Sequence, residues 1–276
     1  MKKIFRCKKC LTPSTRPRVT FDKNKICNAC QNHLILKKFN WGKRFKELIK
    51  IADSINKKTT NQKYNCVVPV GGGKDSSYVA WKVKNVLGLR PLCVFCEPPL
   101  FTKIGKKNII NFKKSGFDLI PLKNKNYFRD YDQRCLKKIG IPQQAWLTAI
   151  TIYPIKIAIK YNIKYIFDGE EPESSYGGSN KNFLKKFVKL SEIQKFLLEG
   201  QQIENYYKGK KLKNFQDIYL TKKEIKKTSK ISKIYWSSWE FWDEKKHFKI
   251  AKEKCGLMYT KKVDSNAINN HSHTDQ

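Results

Sequence analysis

The chain reads Cys66-Val67-Val68-Pro69-Val70-Gly71-Gly72-Gly73-Lys74-Asp75-Ser76-Ser77 at the point that decides its fold. A short apolar run leads into three glycines, and a helical pattern begins at Asp75. Glycines let backbone N–H groups approach an anion closely, and the N-terminus of a helix attracts negative charge. The stretch therefore predicts a phosphate-binding loop between a strand and a helix, formed by Val70, Gly71, Gly72, Gly73, Lys74, Asp75, Ser76 and Ser77.

Two widespread phosphate-binding motifs do not fit this stretch. A Walker A loop places four residues between its first Gly and the Gly-Lys-Ser/Thr, and this spacing is absent here. The dinucleotide fingerprint requires a Gly at the position that Ser76 occupies. A glycine turn without a ligand is the alternative to a phosphate site.

Strand and helix patterns alternate around the loop. We expect strands at 65–70, 91–96, 117–122 and 164–168, and helices at 75–87, 103–115, 127–138 and 144–161. Such alternation predicts an α/β fold with a doubly wound parallel sheet. Ligands of these sheets bind at the carboxyl ends of the strands. The glycine loop lies at such an end, and so does Asp168-Gly169-Glu170-Glu171.

Four of the nine cysteines form two pairs with a regular spacing. They follow the pattern Cys7-x2-Cys10-x16-Cys27-x2-Cys30, which is typical of a zinc ribbon. Four thiolates close the tetrahedron of Zn²⁺, so the predicted ion is structural. His33 is the alternative ligand. Among the other cysteines, Cys66, Cys93, Cys96 and Cys135 are interpreted as core residues, with redox or sulfur-carrier chemistry at Cys93 and Cys96 as the alternative.

The chain carries a formal net charge of +35. Only seven of its 58 basic residues are Arg, and the Lys residues are spread over the whole length. Because nucleic-acid sites favour Arg for forked contacts, this distribution argues against a nucleic-acid partner without ruling it out. The sequence contains no transmembrane-length apolar run and no signal-peptide pattern, so we expect a cytoplasmic protein.

We expect five segments along the chain. They are a zinc-ribbon module at 1–40, a linking helix at 41–63, the α/β domain at 64–180, a Lys-rich helical C-terminal region at 181–260, and a disordered tail at 261–276. An aromatic cluster at 235–242 is expected to pack against another domain or chain, with stacking on a sugar or base as the alternative.

The loop resembles the Ser-Gly-Gly-x-Asp-Ser motif of the PP-loop ATP pyrophosphatases, with Gly71 in place of the first Ser. The order of motifs resembles one family within that class, the N-acetyl sugar amidotransferases of surface-polysaccharide and flagellar-glycan synthesis. The likeness includes Cys7 to Pro17, Cys27 to His33, Val68 to Ser77, Lys103-Ile104-Gly105, Pro154-x-Lys156-Ile157-Ala158, Gly169-Glu170 and Tyr176-Gly177-Gly178.

This resemblance implies an ATP-dependent conversion of an acetamido group into an acetamidino group. Its substrate would be an N-acetylated sugar, such as a nucleotide-linked uronic acid of an O-antigen or a sugar of the pseudaminic acid type. ATP with Mg²⁺ would activate the amide as an adenylate, and a separate glutaminase subunit would supply the ammonia. Residues expected at the catalytic centre are Lys74, Asp75, Ser76 and Glu170, and Glu171, Tyr176, Gly177 and Gly178 are expected at the sugar.

The roles of the four residues at the catalytic centre follow from their chemistry. The loop amides, Lys74 and Ser76 could neutralise departing pyrophosphate. Asp75 could cap its helix or help to hold magnesium. Glu170, with its neighbour Glu171, could bind Mg²⁺ or orient ammonia.

Two other functions account for part of the same pattern. A tRNA-thiolating PP-loop enzyme would explain the ribbon, the loop and the charge together. It needs catalytic cysteines near the loop or an iron–sulfur cluster, and only Cys93, Cys96 and Cys135 are candidates. The third interpretation is a zinc-ribbon binding protein whose phosphate loop no longer catalyses a reaction. Gly71 and a C-terminus shorter than that of the family's members favour it.

Overall fold

A computed structural model describes residues 4–170, 180–190 and 202–259. The predicted α/β architecture is confirmed: a sheet of six strands lies between two layers of helices. Nine α-helices lie in these ranges: α1 (Asn28–Lys38), α2 (Trp41–Lys58), α3 (Lys74–Asn85), α4 (Lys103–Lys114), α5 (Asn126–Ile139), α6 (Gln144–Lys160), α7 (Gly209–Lys213), α8 (Lys222–Thr228) and α9 (Glu244–Cys255). None of these helices is long and apolar enough to cross a membrane.

The strands are β1 (Cys66–Pro69), β2 (Pro91–Cys96), β3 (Leu119–Leu122), β4 (Tyr165–Asp168), β5 (Val188–Lys189) and β6 (Ser232–Tyr235), and their spatial order is β3-β2-β1-β4-β6-β5. All neighbouring strands are parallel except β5, which pairs antiparallel with β6 at one edge. The central strand β1 turns into the glycine loop, and its neighbours β2 and β4 end beside that loop. Three carboxyl ends therefore meet at one point, as the alternation of the sequence predicts.

Alternate side chains of the strands point to opposite faces, and each face has its own core. Val68 faces a cluster that α2, α3 and α9 cover, whereas Val67 faces Ile152 and Ala158 of α6. Cys93 and Cys96 also belong to different clusters, which confirms that they lie in the core on opposite faces of their strand.

The C-terminal region contains the expected helices and also two strands that the sequence pattern did not predict. Strand β6 pairs with β4 and becomes the fifth parallel strand, so this region completes the sheet. Residues of the aromatic cluster at 235–242 pack against other segments of the chain, as expected. Trp236 and Trp239 are fully buried, and the Trp236 ring packs edge-on against Phe45 of α2 and Tyr78 of α3. These two rings stabilise the fold and are not part of a surface.

The cysteine-rich segment docks on the rest of the chain through polar contacts. Side chains of Asn28 and Asn32 in α1 both donate to Oδ1 of Asn180. Arg44 of α2 donates to the carbonyl oxygens of Ser238 and Leu184. These contacts place α1 and α2 against the segment 180–190 and the end of β6.

Candidate active site and cysteine centre

The predicted loop lies between β1 and α3 at the carboxyl edge of the sheet. Gly72 adopts a φ of +84°, a conformation that side chains other than glycine rarely take. A Cβ at Gly72 would also lie 3.1 Å from Cδ1 of Ile109 in α4. Gly73 is the N-cap residue of helix α3 and has no side chain to cap the first amides. The first N–H groups of α3 therefore have no acceptor from the N-cap residue and are available to donate to an anion.

Lys74, Asp75 and Ser76 make their contacts within this turn and with one distant helix. The hydroxyl of Ser76 accepts the N–H of Gly71 at 3.1 Å. Nζ of Lys74 lies 2.8 Å from Oδ2 of Asp75, and Oδ1 of Asp75 lies 2.7 Å from Nδ1 of His247. The interpretation of Asp75 as a helix cap is wrong, because its carboxylate bonds to side chains instead of to backbone amides.

The charge of Asp75 is set by these two neighbours. Burial alone would raise the pKa of this carboxyl. The hydrogen bond from His247 and the charge of Lys74 outweigh burial and hold its pKa below the ordinary value. Asp75 is therefore an anion at neutral pH, and each of its carboxylate oxygens contacts one of the two partners.

His247 was not expected at the site. No sequence motif includes His247, yet its side chain is fully buried. The buried positions His247, Ala251 and Cys255 recur every four residues after the helix cap Asp243. This spacing could have indicated a buried histidine, but no local signal connects it with Asp75.

The carboxyl end of β4 forms the other side of the site. Glu170 donates its N–H to Oδ1 of Asp168, and a Cβ at Gly169 would lie 3.1 Å from Cα of Ser76. This close approach brings Glu170 next to the glycine loop, as its place after a strand predicts. Glu170 is exposed. The predicted sugar-binding residues Glu171, Tyr176, Gly177 and Gly178 lie outside the described residues.

A buried ion pair supports this strand end. Nζ of Lys233 in β6 lies 2.5 Å from Oδ2 of Asp168, and both side chains are about nine-tenths buried. Burial would lower the pKa of Lys233, but the charge of Asp168 raises it above its ordinary value. Sequence reasoning missed Lys233 because strand β6 was not predicted.

A cleft of about 480 Å³ opens beyond the carboxyl ends of β2 and β3. It is lined by Glu97, Pro98, Pro99, Leu100, Phe101, Thr102, Lys106 and Asn124. Helix α4, which begins in this cleft, packs Ile109 on Gly72. Its lining comes from the connection between β2 and α4, the first turn of α4 and Asn124, and it has the size of a small-molecule site.

The four predicted metal ligands form a compact cluster. The Sγ atoms of Cys7, Cys10, Cys27 and Cys30 all lie within 4.8 Å of one another. The separations are 3.4 Å for Cys10–Cys27 and 3.9 Å for Cys7–Cys30. Tetrahedral zinc with Zn–S bonds of about 2.3 Å needs sulfur atoms about 3.8 Å apart, so the cluster fits the ion. His33 is exposed and does not belong to the cluster.

The protonation of these thiols also suits a metal. Burial would raise the pKa of Cys7, but the backbone N–H groups of Cys10, Cys27 and Lys9 lower it to about 6. Burial and the neighbouring thiols raise the pKa of Cys30. Close thiols compete for charge in this way when no cation is present, and a divalent cation relieves the competition.

The remaining candidate cysteines are interior residues. Cys66, Cys93, Cys96 and Cys135 are all buried, which confirms their interpretation as core. Burial raises the pKa of each thiol, so none of them is a ready nucleophile.

Comparison with known proteins gives distant similarities. No protein-family model matches the chain. An uncharacterized protein of Methanocaldococcus jannaschii is 26% identical over 192 residues, which cover 68% of this chain and 66% of that protein. The chain thus spans about two thirds of the length of this relative.

Two solved structures have similar folds, and each has a sequence less than 15% identical to this chain. The U34-tRNA thiolase NcsA of Methanococcus maripaludis, with its 4Fe–4S cluster, is 13% identical with a TM-score of 0.40, over 96% of this chain and 77% of that one. The NH3-dependent NAD synthetase of Campylobacter jejuni is 12% identical with a TM-score of 0.36, over 65% of this chain and 93% of that one.

Proposed function

We propose that the chain is an ATP pyrophosphatase of the PP-loop class that converts the N-acetyl group of a sugar into an acetamidino group. One observation carries the proposal: Gly169, which precedes Glu170, packs closely on Asp75 and Ser76 of the loop Gly71–Ser77 at the carboxyl edge of the sheet. These are two of the motifs that give the sequence its resemblance to the N-acetyl sugar amidotransferases. Their contact supports a common site.

In this proposal, the phosphates of ATP bind at the first turn of α3. Uncapped amides and Lys74 supply positive charge there, and the helix dipole adds to it. The cleft beside α4 would take the nucleoside. Lys74 is bonded to Asp75 in this structure, so binding of a phosphate would exchange one anionic partner of its ammonium for another.

The reaction proceeds through two displacements. The acetamido oxygen attacks the α-phosphorus of ATP, and the bond to the β-phosphate breaks so that pyrophosphate leaves with the electron pair. Ammonia then adds to the activated carbon, and AMP departs with the former amide oxygen. An amide oxygen is a poor leaving group, which is why adenylation precedes amination. The loop amides, Lys74 and Ser76 stabilise the pyrophosphate as its charge develops.

Two metals belong to the proposal. Mg²⁺ would arrive with ATP and help to neutralise the phosphates, and the exposed carboxylate of Glu170 beside the loop is the ligand type that it prefers. Zn²⁺ would be held by Cys7, Cys10, Cys27 and Cys30. Four thiolates leave no open position, so the ion would stabilise the N-terminal module.

Ammonia is proposed to come from a glutaminase subunit. Free ammonia is mostly protonated at neutral pH, and a docked glutaminase would deliver the unprotonated nucleophile. We propose the Lys-rich surface of the C-terminal region as the docking face. The buried Trp236 and Trp239 do not contribute to it.

Thiolation of tRNA is the second candidate, and the net charge of +35 favours it. The interior position of Cys93, Cys96 and Cys135 argues against it, since a sulfur-transfer cysteine has to reach the substrate.

Pyrophosphate release from ATP and Mg²⁺ tests the proposal. We expect release with N-acetylated sugars and an ammonium salt, and none with tRNA and sulfide. Asp75→Ala should abolish it, whereas Asp53→Ala, which removes an exposed carboxylate on α2, should not. Release of ADP and orthophosphate would show that the loop has another function. Release that depends on tRNA would select thiolation instead.

A further inference from the structure

Helix α9 carries a histidine into the glycine loop from the far end of the chain. Asp243 caps the helix by accepting the N–H groups of Lys245 and Lys246. The face with His247, Ala251 and Cys255 is buried and packs along α3. His247 thereby lies beside Asp75, although 172 positions separate them in the sequence.

The imidazole of His247 is held on two sides by aromatic rings. Tyr78 stacks on it with ring centroids 4.1 Å apart and an interplanar angle of 19°. Trp242 meets it edge-on at 4.6 Å. Tyr78 is fixed in turn, because its hydroxyl donates to Glu240 at 2.7 Å. The two rings hold the plane of the His247 imidazole, and in this structure its Nδ1 points at Asp75.

The direction of the hydrogen bond follows from the acceptor. An ionised carboxylate can only accept, so Nδ1 of His247 carries the proton that Oδ1 of Asp75 receives at 2.7 Å. Nε2 of His247 is buried and has no hydrogen-bond partner among the residues described.

We propose that His247 is a positioning residue that fixes the carboxylate of Asp75 in the phosphate loop. The inference rests on the proposed function, because it assigns helix α9 to the nucleotide site. Oδ2 of Asp75 bonds to Lys74, which has to turn toward the phosphates when ATP binds. The bond from His247 to Oδ1 keeps Asp75 in place when that second bond is released. The C-terminal region is thus required for a competent loop.

The test compares three variants with the wild-type chain. His247→Ala removes the donor, and His247→Asn retains an N–H donor near the position of Nδ1. Ala251→Gly loosens the same buried face of α9 one turn away from His247. We expect His247→Ala to lower kcat for pyrophosphate release by about tenfold or more, with a smaller change in KM for ATP. His247→Asn should recover most of the rate, and Ala251→Gly should keep it.

An equal loss in His247→Ala, His247→Asn and Ala251→Gly would assign His247 a merely structural role and overturn the inference. So would an unchanged rate in His247→Ala.

A second measurement does not depend on turnover. In protein labelled with ¹⁵N at histidine, the spectrum should show a protonated, hydrogen-bonded Nδ1 at His247 that disappears in Asp75→Ala. If the wild type releases no pyrophosphate, the proposed function fails. The inference is then decided by this spectrum and by calorimetric titration of the same variants with magnesium pyrophosphate. An Nδ1 signal unaffected by Asp75→Ala would refute it.

Discussion

Gly169 offers the sharpest test of how the site is assembled. A Cβ at this position would lie 3.1 Å from Cα of Ser76, 3.2 Å from its backbone N and 3.3 Å from the carbonyl carbon of Asp75. All three atoms belong to backbone at the start of α3, so no side chain can rotate away. To reach an ordinary van der Waals distance for the added Cβ, the end of β4 and the phosphate loop have to move apart by about 0.3 Å.

Gly169→Ala should therefore lower both stability and activity. Overpacking of this kind costs about 1–3 kcal/mol of the free energy of unfolding. Because Glu170 moves with the strand end, we expect pyrophosphate release to fall by about tenfold or more. The measurements are urea unfolding followed by circular dichroism, and initial rates of pyrophosphate release.

Gly42→Ala is the matched control. Gly42 lies in the first turn of α2, where an added Cβ meets only Oδ1 of Asn40 at 3.7 Å. Alanine in a helix is favoured over glycine by about 0.5–1 kcal/mol, so this variant should be slightly more stable and fully active. A Gly169→Ala variant with wild-type stability and rate would refute the close packing of β4 on the phosphate loop.

Three further predictions follow from the cysteine centre, a partly buried carboxyl and the ammonia source. Metal analysis should find about one zinc per chain, and Cys27→Ser should lose the zinc and unfold the N-terminal module, because zinc binding contributes to its folding; a folded, metal-free protein would contradict this. Burial raises the pKa of Asp132 to about 6, so its ionisation destabilises the fold as pH rises from about 4 to 6. Asp132→Asn should remove this dependence on pH and raise the free energy of unfolding by about 1 kcal/mol at pH 7, after allowance for partial exposure. An unchanged pH dependence of the free energy of unfolding, measured in urea, would count against it. The purified chain should amidinate with ammonium salts at high pH but not with glutamine, and turnover with glutamine would exclude the need for a partner.

The sequence by itself determined most of the local structure. Each predicted strand and helix between residues 41 and 168 is present within a few residues of its expected ends, because apolar spacing and glycine positions act over short distances. The glycine loop and the paired cysteines could also be predicted from the sequence. Their chemistry depends on residues close together in the chain, such as Gly71 with Ser76 and Cys7 with Cys10.

Tertiary structure alone decided the rest of the site. Strand β6 is short and lies in a Lys-rich, aromatic stretch, and its extended form is set by pairing with β4. That pairing brings Lys233 to Asp168, and the packing of α9 on α3 brings His247 to Asp75. The local spacing of apolar residues cannot indicate such contacts, because they join side chains from distant segments. They arise only when the C-terminal region closes on the sheet and buries charged groups that then have to be paired.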